Sequence, residues 1–464
     1  MFIVLAIYVV YALVFSAFIF RFHELKVTAS SDNNATDRFQ GKEISQDRVV
    51  LLEDGSLAAT ARMDLIEQAK ETIQIAYYTV HSGWFADAFF GSIIEAADRG
   101  VQVQLLLDGI FHNLKGKMKD TMYTFVQHPN IEIKYYEPLN LLKPWTWNNR
   151  LHDKLILIDN EYAIIGGRNI GDKYFIQENQ ESAVKDRDVL IINSDQLDVD
   201  NSVVSDMKTY YNELWMHEFS KYPVQKLSKR QQRKGKDQKE WLLKNLQQLT
   251  HIHPNVFNQA INWDHLSIPT KKISFIHNPI QRLNKDPWVL SDITNVMKEA
   301  ENSFTMESPY IIPTQKMMNH LDQISIPAEN VTIMTNSIAS TPNLLAFSGH
   351  IRHTDKIISN GFNLLEYKGT GSIHGKTYIF DDRISMIGSF NADARSSFLS
   401  TESMVVIDST EFADHLNKEM LHRFPESLAT SEMNAPIQEE NASFTKKLLL
   451  KVLSYITTSY QHLL

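Results

Sequence analysis

Two stretches of this sequence decide the fold prediction: LHDKLILIDNEYAIIGGRN at residues 151–169 and IHGKTYIFDDRISMIGSFN at residues 373–391. Each contains a histidine, a lysine two residues later, an aspartate five residues after that lysine, then Gly-Gly or Gly-Ser and an asparagine. Subtracting 152 from 374 gives 222, and the same offset separates the lysines, the aspartates and the asparagines. A repeat of this length predicts a duplicated domain rather than a solenoid of short repeats.

The spacing places the histidine and lysine of each copy on one face of a strand, because residues at i and i+2 point the same way. The residues that follow each lysine are mostly apolar, so each strand is expected to cross a packed layer before reaching its aspartate. The eight shared positions are His152, Lys154, Asp159 and Asn169 in the first copy and His374, Lys376, Asp381 and Asn391 in the second.

These side chains suit a phosphodiester. Two lysines and two asparagines can donate hydrogen bonds to non-bridging oxygens, and such bonds strengthen as negative charge develops. One imidazole can attack phosphorus while the other first protonates the leaving oxygen and then deprotonates the incoming alcohol or water. We expect Asp159 and Asp381 to support the orientation and tautomer of the imidazoles. A single His beside a strand Lys is usually an ordinary structural residue, but the second copy in register argues against that reading.

Composition restricts the partners. The chain has 464 residues, 43% of them apolar and 22% charged, which suits two globular domains. A net charge of −9 disfavours general nucleic-acid binding. The absence of cysteine rules out disulfides, thiol catalysis and cysteine-ligated zinc. No metal is predicted, because a lysine ammonium beside each possible ligand would oppose a cation.

The pattern around the motifs alternates between helix and strand periods. It predicts an α/β chain of two duplicated domains, each a mixed sheet flanked by helices, with the active site at their interface. The predicted divisions are a transmembrane anchor (1–25), a tether (26–48), a first domain (49–225), a basic linker (226–270), a second domain (271–430) and a C-terminal amphipathic segment (431–464). The last segment would lie on a membrane face or close a domain core.

The N-terminus is apolar from Phe2 to Phe20. A helix of about 20 apolar residues can span a bilayer. A cleaved signal normally starts with Lys or Arg and ends in small residues, which this segment lacks, so an uncleaved anchor is favoured over a signal peptide or a core helix. The predicted location is a cell membrane, with the sidedness open.

Both motifs resemble the signature of the phospholipase D superfamily, His-x-Lys-x4-Asp followed by Gly-Gly/Ser-x-Asn, and the resemblance extends over about residues 49–408. The residues around both motifs look like those of bacterial cardiolipin synthases of the C type. The residues that carry this closer likeness are Gly166–Asp172 with Tyr174 and Phe175, Asp186–Val189, and Gly388–Asn391 with Asp393, Arg395, Ser396 and Glu402.

The resemblance implies a phosphatidyl transferase in the bacterial cell membrane that needs no cofactor. It would join phosphatidylglycerol to a second phospholipid, with phosphatidylethanolamine as another possible donor. It also implies His152 as nucleophile and His374 as general acid and base. Asp188 and Glu402 match acidic positions that would hold the histidine of the opposite half, and Gly167 and Ser389 would support the site. Ser400 departs from the family pattern, in which many relatives have Asn, as does the single anchor in place of two.

Other functions stay open. Water in place of the alcohol would give a phospholipase D that releases phosphatidic acid. The basic stretch 226–239 could indicate a nuclease, a solvated loop or a contact with anionic lipid. A non-enzymatic membrane scaffold is disfavoured by the two intact motifs. The aromatic-rich segment 135–147 could enter the lipid interface or pack as a loop.

Overall fold

The computed structural model describes residues 2–22, 35–175, 182–195, 197–257, 259, 261–313, 325–424 and 444–463. The chain divides into two compact units. The motif-1 unit comprises Ile44–Leu139 and Arg150–Phe275, and it carries His152. The motif-2 unit comprises Met1–Glu43, Asn140–Asn149 and Ile276–Leu464, and it carries His374.

Fifteen α-helices occur in the described residues. They are α1 (Phe2–Leu13), α2 (Ile19–Phe22), α3 (Ala35–Phe39), α4 (Gly55–Gln68), α5 (Trp84–Asp98), α6 (Lys119–Gln127), α7 (Val203–Met216), α8 (Lys229–Ile252), α9 (Pro254–Phe257), α10 (Trp263–Leu266), α11 (Trp288–Glu299), α12 (Leu344–Ser359), α13 (Ala394–Phe398), α14 (Thr410–His422) and α15 (Phe444–Tyr460).

The same described residues form 22 strands. They are β1 (Asp47–Leu52), β2 (Thr72–Tyr77), β3 (Gln102–Asp108), β4 (Ile131–Tyr136), β5 (Arg150–Leu151), β6 (Lys154–Ile158), β7 (Tyr162–Gly166), β8 (Val184–Lys185), β9 (Asp188–Asn193), β10 (Ser220–Lys221), β11 (Ile268–Pro269), β12 (Lys272–His277), β13 (Phe304–Glu307), β14 (Ile311–Ile312), β15 (Val331–Asn336), β16 (Asn363–Tyr367), β17 (Ser372–Ile373), β18 (Thr377–Phe380), β19 (Ile384–Gly388), β20 (Ala392–Asp393), β21 (Ser400–Thr401) and β22 (Ser403–Asp408).

The motif-1 unit contains a nine-stranded mixed sheet in the order β10-β4-β3-β2-β6-β7-β9-β1-β11. Strands β2, β3 and β4 run parallel, whereas β6, β7, β9 and β1 are joined antiparallel. Parallel strands need covered faces, and the apolar side chains of β2 and β3 are buried with those of helices α4 and α5. The motif strand β6 lies near the middle of this sheet.

The motif-2 unit repeats that arrangement in a sheet of order β12-β22-β19-β18-β13-β15-β16. Strand β12, where the division between the units falls, forms its edge. Strands β13, β15 and β16 are parallel, and β18, β19 and β22 are antiparallel. Leu155 pairs with Ile165 in the first sheet and Thr377 with Ile387 in the second, so the two hairpins have the same register. The predicted duplicated mixed α/β fold is confirmed.

The structure does not show the predicted N-terminal transmembrane helix. Within the described ranges, no helix is both long and apolar enough to cross a membrane. The apolar stretch is divided into α1 of 12 residues, a π-helical turn over Val14–Phe18, and α2 of four residues. Residues 2–22 are helical without a break, and the π-helical turn joins the two α-helical parts.

Two other segments differ from their predicted character. In the tether, residues 35–39 form α3, where Phe39 is buried and Arg38 pairs with Asp292, while residues 26–34 lie outside the described part. The linker 226–270 supplies α8, a helix of 24 residues. Of the C-terminal segment, 431–443 lie outside the described residues, and α15 packs on α12 through Leu450 and Phe347.

A buried histidine in α12 is expected to make the motif-2 unit sensitive to acid. His350 is fully buried, and burial lowers its pKa from 6.5 to about 4. Its Nδ1 lies 3.2 Å from the carbonyl oxygen of Ile311, and its Nε2 has no hydrogen-bond partner among the described residues. The folded protein therefore holds a neutral imidazole that the unfolded chain would protonate below pH 6.5.

Stability should accordingly fall as pH drops through this window, because the unfolded state binds the extra proton. Between pH 7 and pH 5, His350 is expected to remove about 2 kcal/mol from the free energy of unfolding. In urea unfolding of the full chain, the free energy of unfolding should fall between pH 7 and pH 5 by about 2 kcal/mol less in His350→Leu than in wild type. His415→Leu, at an exposed histidine of α14, is the control. Equal acid losses in wild type and His350→Leu would contradict the assignment.

Candidate active site

The two motif hairpins close through turns in left-handed backbone conformation. Asp159 and Asn160 have φ of 52° and 60°, and Asp381 and Asp382 have φ of 51° and 50°. Two successive residues with positive φ make the turn that matches the twist of a hairpin, and Asn and Asp tolerate it better than other residues with side chains. This turn lies at the opposite end of each motif strand from the histidine.

The turn aspartates bind backbone rather than imidazole. The Asp159 carboxylate accepts hydrogen bonds from the backbone N–H groups of residues 70, 71 and 72, at 2.6, 2.9 and 2.7 Å. The Asp381 carboxylate accepts the equivalent bonds from residues 301, 302 and 303, at 2.7–3.2 Å. The expected support of imidazole orientation is therefore wrong for both residues: each one anchors its hairpin to the start of the neighbouring strand.

This geometry predicts a structural rather than a kinetic phenotype for the turn acids. Asp159→Ala should lower the free energy of unfolding by about 1–2 kcal/mol, the usual effect of removing a carboxylate that caps free N–H groups. Turnover per folded molecule should change less than threefold, since the carboxylate lies a whole strand away from His152. Urea unfolding and steady-state rates on the same samples measure both, with Asp159→Asn as the variant that keeps one acceptor. A hundredfold loss of rate at unchanged stability would show instead that Asp159 supports the imidazole.

In the motif-1 unit, His152 and Lys154 meet beside an aromatic side chain that the sequence reasoning missed. His152 is partly exposed and Lys154 is buried, and the Lys154 Nζ donates to the carbonyl oxygen of His152. The Tyr78 ring lies 5.0 Å from the His152 ring, edge to face, and 5.5 Å from the Lys154 Nζ. Tyr78 directly follows strand β2, which pairs with β6, so its position after a central strand was the available signal.

In the motif-2 unit, the lysine contacts the imidazole itself. Lys376 Nζ lies 2.6 Å from His374 Nδ1 and 3.2 Å from Nε2. Since an ammonium has only donors, the nearer ring nitrogen serves as the acceptor. Lys376 is buried and His374 is partly exposed, as in the other unit. Each unit therefore presents an accessible imidazole beside a buried cation.

Both motif asparagines hold a buried carbonyl oxygen that accepts no hydrogen bond within the described ranges. These atoms are Oδ1 of Asn169 and Oδ1 of Asn391. The Nδ2 of Asn169 donates to the Tyr174 hydroxyl at 3.1 Å. A buried amide oxygen without a partner is unusual, because most buried polar atoms are paired. The asparagines thus have unused hydrogen-bonding capacity next to each motif.

Asp188 does not have the environment expected for a group that holds a histidine. It is fully buried, and its Oδ2 accepts from Arg62 at 2.8 Å and from Arg168 at 3.2 Å. Its Oδ1 accepts from the backbone N–H of Arg168 at 3.2 Å. Both guanidinium groups are about 1% exposed. The predicted role is wrong, because two buried arginines of its own unit occupy the carboxylate.

Strand register identifies Asp186 instead as the counterpart of Glu402. Gly166 pairs with Asp188, whereas Gly388 pairs with Met404. Counting back two residues from each partner reaches Asp186 in one unit and Glu402 in the other. A Cβ added at Gly167 would clash with the Asp186 carboxylate, and Ser389 Oγ donates to Glu402 Oε2 at 2.5 Å. In both units, a carboxylate therefore lies beside the second residue of the Gly-Gly or Gly-Ser pair.

The acids around Glu402 are shifted by burial. Burial, with a smaller contribution from the nearby Glu402, raises the pKa of Asp393 to about 6 against the hydrogen bonds from Ser396. Burial also raises the pKa of Tyr378, again with Asp393 and Glu402 contributing. Titratable groups shifted in this way are common at catalytic sites, where low dielectric and like charges act together.

A duplicated mixed sheet with a partly exposed histidine and a buried lysine at each motif strand defines a phospholipase D-type fold. The family model described as "Cardiolipin synthase, PLD-like domain" matches residues 63–217 and 293–424. The chain therefore belongs to the PLD-like cardiolipin synthase family. It is an enzyme of the phosphatidyltransferase and phosphodiesterase class.

Relatives match most of the chain. Cardiolipin synthase C of Escherichia coli K12 is 27% identical over 80% of this chain and 83% of its own. An uncharacterized protein of Helicobacter pylori 26695 is 29% identical over 78% of this chain and 76% of its own. The crystal structure of phosphatidylserine synthase from Haemophilus influenzae Rd KW20 matches with a TM-score of 0.62 at 15% identity, covering 93% of this chain and 99% of its own. That structural likeness shows the fold.

Proposed function

We propose that this enzyme makes cardiolipin by transferring a phosphatidyl group to phosphatidylglycerol through a phosphohistidine. One observation carries the proposal: each of the two units presents a partly exposed imidazole next to a buried lysine ammonium. An imidazole beside a fixed cation is suited to attack a negatively charged phosphodiester. The relatives named cardiolipin synthase support phospholipid substrates, and we propose phosphatidylglycerol with a second phospholipid such as phosphatidylethanolamine.

The reaction proceeds in two steps that share both histidines. A ring nitrogen of His152 bonds to phosphorus, the bond from phosphorus to the headgroup oxygen breaks, and His374 gives its proton to that oxygen. In the second step, His374 takes the proton of a glycerol hydroxyl of phosphatidylglycerol. The resulting oxygen bonds to phosphorus and the phosphorus–nitrogen bond breaks, which restores His152. If water enters in place of the alcohol, the same steps yield phosphatidic acid.

Lys154, Lys376 and the two motif asparagines hold the phosphate oxygens in this scheme. Rotation of the Asn169 amide by half a turn would let its oxygen accept from the Tyr174 hydroxyl. The amide N–H would then point where an unpaired oxygen now lies. An asparagine that donates to phosphate without losing its protein partner is suited to a charge that grows in the transition state.

Attachment to a membrane is supported by apolar surface in the motif-2 unit. Seven large apolar side chains of α1 are between 46% and 76% exposed, over most of the helix surface outside the face of Tyr8, Tyr11 and Ala12: Ile3, Val4, Leu5, Ile7, Val9, Val10 and Leu13. The hydroxyls of Tyr8 and Tyr11 donate to the carbonyl oxygens of Leu141 and Leu142, at 3.1 and 2.7 Å. These two leucines are 57% and 77% exposed. Residues 141–145 cover one face of α1, and hydrocarbon can cover the apolar side chains that remain exposed.

The test is incubation of the purified full chain with labelled phosphatidylglycerol, alone and with phosphatidylethanolamine. We expect labelled cardiolipin, with glycerol released in the first mixture and both glycerol and ethanolamine in the second. Phosphatidic acid as the dominant product would replace the synthase proposal with a phospholipase D. Cleavage of DNA with neither lipid product would favour a nuclease.

A further inference from the structure

Helix α8 displays a row of three exposed cations, two of which have no charge partner in the described part of the chain. Lys229, Arg233 and Lys236 follow one another at helical spacing, and all three are exposed. In the described part of the chain, the side chains of Lys229 and Arg233 make no ion pair or hydrogen bond, and Lys236 reaches only Glu240, at 4.0 Å. Exposed Arg230 adds a fourth cation on the same stretch. We call Lys229, Arg233 and Lys236 the cation row.

The opposite face of α8 fastens the helix to its own unit. Leu242 and Leu246 are buried in the motif-1 core, and Gly235 lies so close to α6 that a Cβ there would be 2.8 Å from the Tyr123 carbonyl carbon. Thr124 Oγ1 donates to the Gly235 carbonyl oxygen at 2.8 Å. Lys234 pairs with Asp120 at 2.9 Å. These contacts fix the orientation of α8, so the cation row stays exposed to solvent.

A shallow groove of about 700 Å³ lies alongside the cation row, between α8 and the ends of α5 and α6. All three row residues line it, together with Lys239 and His128. Its one carboxylate, Asp98, is already bound by Lys239 at 2.6 Å and by His128 at 3.0 Å. The groove is thus a local positive surface on a chain whose net charge is −9.

We propose that the cation row of α8 is a contact surface for the headgroups of an anionic phospholipid bilayer, an inference that rests on the proposed lipid function. The row extends about 10 Å, which allows contact with more than one phosphodiester. Lysine and arginine bind anionic membrane surfaces through such rows.

A bilayer fits this surface better than a nucleic acid does. Asp237 and Glu240 lie among the cations of α8, and the chain as a whole is acidic, which repels a long polyanion beyond the row. A planar surface of separate anionic headgroups can be contacted by one short row alone. The surface would hold the motif-1 unit against the membrane that supplies its substrate.

The experiment measures flotation of the full chain with two kinds of vesicle, phosphatidylcholine alone and phosphatidylcholine with phosphatidylglycerol. The test variant is Lys229→Gln/Arg233→Gln/Lys236→Gln. The control is Lys42→Gln/Lys70→Gln/Lys271→Gln, which removes the same charge from exposed lysines elsewhere. The test variant should lose roughly a hundredfold in partitioning to the anionic vesicles at low salt. The loss should shrink as salt is added, and partitioning to phosphatidylcholine should not change.

Three outcomes would overturn the proposal: undiminished flotation of the test variant, an equal loss in the control, or lost oligonucleotide binding with vesicle binding intact. Cardiolipin formation in detergent mixed micelles separates this inference from the proposed function. The test variant should match wild type there, because its catalytic groups are unchanged. If wild type forms no cardiolipin while the flotation difference holds, the proposed function fails and the membrane surface stands.

Discussion

His152→Gln is expected to abolish cardiolipin formation, with a loss of about 10⁴-fold or more, because removal of a covalent nucleophile closes the reaction path. His374→Gln should lose about 10²–10⁴-fold, the usual contribution of a general acid and base. The two roles separate on a lipid whose headgroup is p-nitrophenol, since p-nitrophenolate leaves without protonation. On that substrate, His374→Gln should release a burst of one nitrophenolate per enzyme and then stall as the phosphohistidine. His152→Gln should release none.

The measurement is rapid-mixing absorbance of nitrophenolate together with acid-labile labelling of the protein. His415→Gln, at an exposed histidine of α14, controls for loss of an imidazole as such and should behave as wild type. A burst from His152→Gln but not from His374→Gln would exchange the two roles. A burst from both variants, or full turnover by either one, would refute a single nucleophile.

Asp188→Ala is expected to lower the free energy of unfolding of the motif-1 unit by about 3–5 kcal/mol, because it leaves two buried arginines without their carboxylate. Arg62 and Arg168 are each about 1% exposed, so water cannot replace the lost charge. Asp188→Asn should lose less, since the amide keeps an acceptor near Arg62. Urea unfolding of the full chain, followed by hydrogen exchange in β9, measures the loss.

The matched comparison is Asp120→Ala, which breaks the partly exposed pair with Lys234. That change should cost less than about 1 kcal/mol, because solvent screens the exposed charges. Should Asp188→Ala unfold like wild type yet lose turnover, Asp188 would act on the chemistry, as the sequence resemblance first indicated. A stability loss with normal turnover per folded molecule would confirm the structural role.

Prediction from the sequence worked best for features that depend on residue types at fixed spacings. The offset of 222 residues predicted two copies of one sheet, and both copies have the same strand order and hairpin register. The i, i+2 spacing predicted that each lysine lies beside its histidine, and Lys376 contacts the His374 ring. Period-2 patterns are local, so they survive folding unchanged.

Prediction failed where an acid could choose among partners that are distant in sequence. Asp159 lies 87 residues from the N–H of Thr72 that it binds, and Asp188 lies 126 residues from Arg62. No local sequence pattern indicates which distant group an acid will bind. The spanning helix predicted for the apolar N-terminus is not shown by the structure, in which a π-helical turn joins α1 and α2.

The sequence by itself determined the duplication, the family and the pair of histidine–lysine strands, because these follow from residue types at short, fixed spacings. Only the tertiary structure decided what the acids bind and that the basic stretch is a helix with an exposed cation row. Strand pairing and burial bring distant residues together, and burial requires each charge to find a partner. Those partners are chosen in space rather than along the chain.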